Sequence, residues 1–178
     1  MNESAYFATG CFWGAERRFW QLDGVIETSV GYMGGTRPSP SYEQVCSGTT
    51  GHTETVRVDF DIAKISYHRL LEEFWTMHDP TSLNRQGGDI GTQYRSAIFT
   101  TTPEQMSQAL STRDIYEKAI SGSGYGSIVT EIAPSEGITY FLAEEYHQKY
   151  LLKNPKGYDC HSSTGIAFPK QELSLIHI

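Results

Sequence analysis

Apolar positions recur along this chain with two different periods. Residues 4–9 (Ser-Ala-Tyr-Phe-Ala-Thr) make a short, mostly apolar run ending at Gly10, which predicts a buried strand. Phe12, Trp13, Glu16, Phe19 and Trp20 then follow at helical spacing until Gly24 closes the segment. Residues 25–32 read as a second strand, and residues 31–40 as a loop rich in Gly and Pro. Residues 53–60 alternate with period two, placing Val56, Val58 and Phe60 on one face. From Ser66, the residues Tyr67, Leu70, Leu71, Phe74 and Trp75 predict an amphipathic helix that stops before Asp79-Pro80. A polar, Gly-rich loop (84–92) leads to a strand (94–100). Thr102-Pro103-Glu104-Gln105 opens another helix, with a capping-box pattern and Pro at its first position. A strand over 128–132 and a last helix over 140–152 complete the ordered part, and residues 153–178 read as mostly irregular.

Strands and helices interleave irregularly, with hairpin-like pairs among the strands. That pattern favours an α+β protein of the ferredoxin-like kind over a doubly wound sheet. The expected architecture is a two-layer α/β plait, with helices packed on a mixed, mainly antiparallel sheet and an irregular C-terminal tail. With 178 residues the chain fits one domain, its core at about 4–152 and its tail at about 153–178. The cluster Gly122-Ser123-Gly124-Tyr125-Gly126 follows a helix and precedes a strand, the wrong order for a dinucleotide loop, and reads as a connector.

Charge removes some classes of partner. The net charge is −7 and no basic cluster exceeds Arg17-Arg18, so nucleic acid is not an expected partner. No apolar run approaches the roughly 18 residues of a membrane span. The opening Met-Asn-Glu-Ser lacks the regions of a signal peptide, which makes the cytoplasm the expected location. Three widely separated cysteines argue against a secreted disulfide framework and leave redox or catalytic use open. Neither their spacing nor that of the six histidines suggests a zinc site.

Cys11, in Gly10-Cys11-Phe12-Trp13-Gly14, stands where a strand gives way to a helix. Unpaired backbone N–H groups and the positive end of the helix dipole would favour its thiolate there. Phe12 and Trp13 would set an apolar wall beside it, although rings at this spacing also suit a core. A buried, inert thiol is the competing reading. Glu54 shares the parity of Val56, Val58 and Phe60 and so points toward the buried face, where its carboxyl would stay protonated and could act as a general acid; the competing reading puts it just beyond the covered region, in water. Tyr42 and Tyr94 adjoin Gly- and Pro-rich loops that could display their hydroxyls, in a chain with eleven tyrosines. Asp89, in Gly87-Gly88-Asp89-Ile90-Gly91, could orient a site or bind its own backbone. Cys160 lies in a stretch of small residues that suits either a resolving thiol or a spectator, and Cys46 reads as structural.

Several segments together resemble the A-type peptide methionine sulfoxide reductases. They are Gly10-Cys11-Phe12-Trp13-Gly14, Gly31-Tyr32-Met33-Gly34-Gly35, Ser41-Tyr42-Glu43-Gln44-Val45-Cys46-Ser47-Gly48, Gly51-His52-Thr53-Glu54, Gly91-Thr92-Gln93-Tyr94-Arg95-Ser96, Glu145-Tyr146-His147-Gln148-Lys149-Tyr150-Leu151 and Asn154-Pro155-Lys156-Gly157-Tyr158. The likeness spans about residues 5–168. It implies that Cys11 attacks the sulfoxide, Glu54 protonates the sulfoxide oxygen, Tyr42 and Tyr94 hydrogen-bond that oxygen, Phe12 and Trp13 cradle the S-methyl group, and Asp89 helps to hold the substrate. The implied substrate is the S epimer of methionine sulfoxide, free or in oxidised proteins, and the implied role is protein repair. A Cys11 sulfenic acid would condense with Cys160, and thioredoxin, or dithiothreitol in vitro, would reopen the disulfide. No metal or organic cofactor is implied, and a monomer is expected. One departure stands out: Asp159 intervenes in the family's Gly-Tyr-Cys pattern, and no later Cys follows Cys160. A thiol peroxidase is the rival enzyme class, but no Pro-x-x-x-Thr-x-x-Cys pattern surrounds Cys11.

Overall fold

The computed structural model describes residues 1–159 and 162–170. Small and aromatic residues along β1 (Asn2–Thr9) let it lie in the middle of a sheet, hydrogen-bonded on both sides. The helical stripe after Gly10 becomes α1 (Phe12–Trp20), and β2 (Val25–Met33) returns beside it. A short helix α2 (Tyr42–Cys46) precedes β3 (Thr53–Asp61), and α3 (Tyr67–Met77) follows. A two-stranded hairpin, β4 (Arg85–Gln86) and β5 (Asp89–Ile90), leads through a 3-10 turn at Thr92–Tyr94 into β6 (Ser96–Thr100). The long helix α4 (Pro103–Ser121), β7 (Glu131–Pro134), β8 (Phe141–Leu142), a 3-10 turn at Glu145–His147 and α5 (Tyr150–Lys153) complete the order.

The main sheet runs β7-β6-β1-β3-β2-β8, antiparallel at every pairing except β6 with β7. The protein is thus a mixed α/β structure on a mainly antiparallel sheet. One face carries α1, α3 and α4 over a core in which Phe7 stacks on Phe19 at 4.9 Å and meets Phe74 at 5.4 Å. Ala8, Met33, Ala97 and Phe99 form a smaller cluster joined by Tyr140 and Ile138. Among the described residues no helix is long and apolar enough to cross a membrane.

Four local expectations need correction. The helix expected over 140–152 is instead β8, a 3-10 turn and one turn of α-helix. Its backbone is claimed by β2: Ala143 N–H donates to Val30 O, and the Gln148 side chain bonds both Val30 N–H and Val30 O, while Lys149 turns left-handed at φ 53°. The strand expected over 128–132 is displaced to Glu131–Pro134, because Ile128 N–H goes to the Glu117 carboxylate and Val129 N–H to Pro80 O. Tyr94 belongs to a 3-10 turn rather than to the strand after it. Finally, the β4–β5 hairpin lies in the segment read as a loop, and α2 lies in residues for which no element was predicted; Ser41 closes a complete capping box with Gln44 at the start of α2.

Gly10 is what allows the strand to turn into the helix. Its φ is +105°, and a Cβ there would stand 2.8 Å from the Gln86 side chain. Gly10→Ala is therefore expected to destabilise the fold by roughly 1–3 kcal/mol and to displace Cys11. Thermal unfolding checks the loss of stability, and the rate of Cys11 alkylation checks the displacement.

Candidate active site

Cys11 occupies the N-cap position of α1 and is 8 % exposed. The N–H groups of Trp13 and Gly14 act on its sulfur and lower its pKa, although the thiol closes no full capping hydrogen bond. Burial outweighs them. Together with the negative charges of Glu54 and Asp89, it pushes the Cys11 thiol well above the ordinary thiol range. The expected thiolate-favouring field is present, but desolvation reverses the net direction, so the free site holds a protonated thiol.

Glu54 lies at the start of β3, opposite Tyr32 of β2, and is 2 % exposed. Its Oε1 accepts the Phe12 N–H at 3.1 Å, which ties the carboxyl to the residue next to Cys11. Burial pushes its pKa up to about 8, the Phe12 bond opposes the rise, and the charge of Asp89 adds to it. The parity argument placed Glu54 on the inner face. Thr53 and Thr55 of the opposite parity are also fully buried, so this end of β3 is covered on both sides.

Tyr42, Tyr94 and Asp89 surround this pair. Both phenols are pushed above the ordinary tyrosine range, first by burial and next, for Tyr94, by Glu54; for Tyr42 a hydrogen bond with the Cys46 thiol precedes the Glu54 contribution. They remain hydroxyl donors at any ordinary pH. Asp89 Oδ1 accepts the Tyr158 hydroxyl at 3.1 Å, and its Oδ2 is buried without a hydrogen-bond partner among the described residues. Phe12 is buried, while Trp13 is partly exposed and stacks on Tyr150 with ring centroids 3.8 Å apart.

Residues 3–173 match the family model for peptide methionine sulfoxide reductase. The chain belongs to that family. A curated relative from Pseudomonas entomophila (strain L48), peptide methionine sulfoxide reductase of the A type, is 56 % identical over 165 residues, 93 % of this chain and 73 % of its own length. Methionine sulfoxide reductase A of Corynebacterium diphtheriae superposes with a TM-score of 0.85 at 44 % identity, covering 95 % of this chain and 84 % of that one. Reduced Mxr1 from Saccharomyces cerevisiae gives 0.79 at 36 %, covering 91 % and 92 %. Mxr1 has also been solved in complex with Trx2. This protein is accordingly a thiol-dependent peptide methionine sulfoxide reductase.

In the reductase seven of the eight residues singled out from the sequence converge: Cys11, Phe12, Trp13, Tyr42, Glu54, Asp89 and Tyr94. The eighth, Cys160, lies outside the described residues. The residues just before it lead toward the site, with Tyr158 on Asp89 and Asp159 paired with Arg17 of α1. Cys46 is exposed rather than part of the core; Val45 is the buried residue of α2, and the Cys46 thiol meets the Tyr42 hydroxyl at the site's rim.

Two residues of the site carried no role in the sequence reading. Glu144 accepts the Tyr32 hydroxyl and the Tyr42 N–H, each at 2.8 Å, fixing the segment that presents Tyr42. Burial raises its pKa, but these bonds and one from its own backbone outweigh burial and hold it below the usual carboxylate value. His147 is fully buried and accepts the Trp13 indole N–H through Nδ1 at 3.0 Å. The only available signal was that His147 falls inside a segment resembling the family.

Proposed function

We propose that this reductase acts on the S epimer of methionine sulfoxide, free or protein-bound, through Cys11 as nucleophile and Glu54 as proton donor. The observation that carries the assignment is Glu54: a carboxyl 2 % exposed, with a pKa near 8, bonded to the N–H of the residue following Cys11. Sulfur attack on a sulfoxide proceeds only if the departing oxygen acquires a proton, and a carboxylic acid held neutral near pH 7 supplies one. Tyr42 and Tyr94 add two hydroxyl donors for the same oxygen, Asp89 helps to hold the substrate, and Phe12 and Trp13 give its S-methyl group an apolar seat.

The steps balance without an added oxidant. The Cys11 sulfur takes the oxygen atom from the sulfoxide, the sulfoxide becomes a thioether, and Cys11 becomes a sulfenic acid. Glu54 gives its proton to the oxygen and regains one from the Cys11 thiol, whose raised pKa keeps that proton in the site until attack. The Cys160 thiol then condenses with the sulfenic acid, releasing water and forming a disulfide. A dithiol reductant reopens it by exchange. Thioredoxin is the proposed physiological reductant, a reading supported by the complex that yeast Mxr1 forms with Trx2.

We read the chain as one catalytic domain working as a cytoplasmic monomer in repair of oxidised proteins, with no resident metal or organic cofactor. Within the sheet, the segment β6-β1-β3-β2 with α1 and α3 as crossovers has the strand order of a ferredoxin-like plait, which supports that architecture for the core.

Cys160→Ser separates the two halves of the cycle. It is expected to release about one equivalent of methionine per protein at the rate of the parent, the stoichiometry of a single oxygen transfer, and then to stall with thioredoxin. Rapid-quench measurement on each sulfoxide epimer, followed by peptide mapping of the oxidised parent, checks this. Sustained turnover of the variant with thioredoxin would remove Cys160 from the relay.

A further inference from the structure

The segment 145–151 resembles the family, yet none of its residues has a part in the chemistry above. We propose that His147 is a positioning residue for substrate binding: its Nδ1 holds the edge of the Trp13 indole and so fixes the wall of the methyl pocket. The inference rests on the reading that Trp13 touches the substrate.

Two contacts of different kinds locate the indole. Tyr150 stacks on one face, with centroids 3.8 Å apart and planes 15° from parallel. A stack fixes the plane of a ring but lets it slide or rotate within that plane. The missing constraint is directional, and the bond from Trp13 Nε1–H to His147 Nδ1, 3.0 Å long and spanning 134 positions, supplies it. The imidazole is held in turn. It packs against Tyr42 at 4.4 Å and Phe12 at 5.2 Å, and Tyr146 covers it at 4.0 Å. His147 therefore touches both rings of the proposed methyl pocket and one proposed oxygen donor.

The polar atoms of His147 indicate what it is there for. With Nδ1 accepting, the ring proton sits on Nε2, which is buried and has no hydrogen-bond partner among the described residues. An unpaired buried donor carries a cost that a space-filling Leu or Phe would avoid. Among the described residues, the one side-chain hydrogen bond this imidazole makes goes to Trp13. Burial also holds its pKa below the ordinary histidine value, against the charge of Glu144, which keeps the accepting lone pair free.

The test compares His147→Asn, His147→Gln and His147→Leu by single-turnover reduction over a range of methionine sulfoxide concentrations. The Asn amide oxygen can stand near the Nδ1 position, whereas Gln reaches toward Nε2 and Leu accepts nothing. We expect Gln and Leu to raise the half-saturating concentration about tenfold with the maximal rate nearly kept, and Asn to restore it to within about threefold. The Trp13 indole N–H resonance should move upfield in Gln and Leu and return in Asn. In a Trp13→Phe background, which has no N–H to hold, His147→Leu should add nothing. Equal damage in Asn and Gln, or loss confined to the maximal rate, overturns the inference. Trp13→Ala separates it from the reading beneath. Unchanged half-saturation in Trp13→Ala removes Trp13 from the substrate site, whereas a raised value there with parent-like Gln and Leu variants removes only His147.

Discussion

Glu54→Gln is expected to cut the single-turnover rate by about 10²–10⁴ while leaving sulfoxide binding nearly intact, because it removes the proton but keeps the shape. The Gln amide oxygen can still accept the Phe12 N–H. The parent's rate should fall as pH rises through about 8, where Glu54 loses its proton; the variant, already slow, should lack that limb. Stability should change in the variant's favour. The folded state holds a proton on Glu54 that the unfolded chain releases above its ordinary value of 4.5. The parent therefore loses stability as pH climbs from about 4.5 toward about 8, and the variant does not. Near pH 8 the variant should be the more stable protein by on the order of a few kcal/mol, since each pKa unit is worth about 1.4 kcal/mol. Rate and melting temperature across pH 5–9 check both halves. Full activity in Glu54→Gln would end the assignment of Glu54 as the acid.

Cys11→Ser is expected to abolish methionine formation, since every later step needs that sulfur. A hydroxyl cannot take up oxygen to form the species that Cys160 condenses with. The fold should not suffer. The Cys11 backbone already has an N-cap conformation, φ −56° and ψ 123°, with no capping bond from the thiol. Ser is among the preferred N-cap residues, and its Oγ can accept an N–H in the first turn, a gain of up to about 1 kcal/mol. For a chain of this size that is roughly 2–4 °C in melting temperature. An inactive protein that melts no lower than its parent is the expected outcome; methionine release by mass spectrometry and a melting curve measure it. Residual single-turnover release would mean that another thiol attacks.

Both variants remove function and relieve the fold, which places the cost of the site in buried groups that stability alone would not select. It also explains what could be read from the sequence. Gly10 followed by a helical stripe located Cys11, and period two located Glu54, because both signals are local. The net effect on the Cys11 thiol was not legible: the helix-start field can be read from neighbours in sequence, but burial and the charges of Glu54 and Asp89 arrive from distant strands. Residues 140–152 misled because their apolar spacing suits a helix in isolation, while the bonds that decide the matter run from Gln148 to Val30, 118 positions away. Glu144 and His147 were missed for the same reason, since their partners Tyr42 and Trp13 lie 102 and 134 positions upstream.

The pairing of Asp159 with Arg17 makes the second chemical step a matter of effective concentration. Cys160 is the next residue in sequence after Asp159, and Arg17 stands six residues along from Cys11, a helical rise of about 9 Å. On the relay proposed above, a thiol tethered one residue beyond this ion pair would act at millimolar or higher effective concentration. For that proposed relay, the residue that interrupts the family's usual tail pattern would favour closing the disulfide within one molecule over capture of the sulfenic acid by a stray thiol.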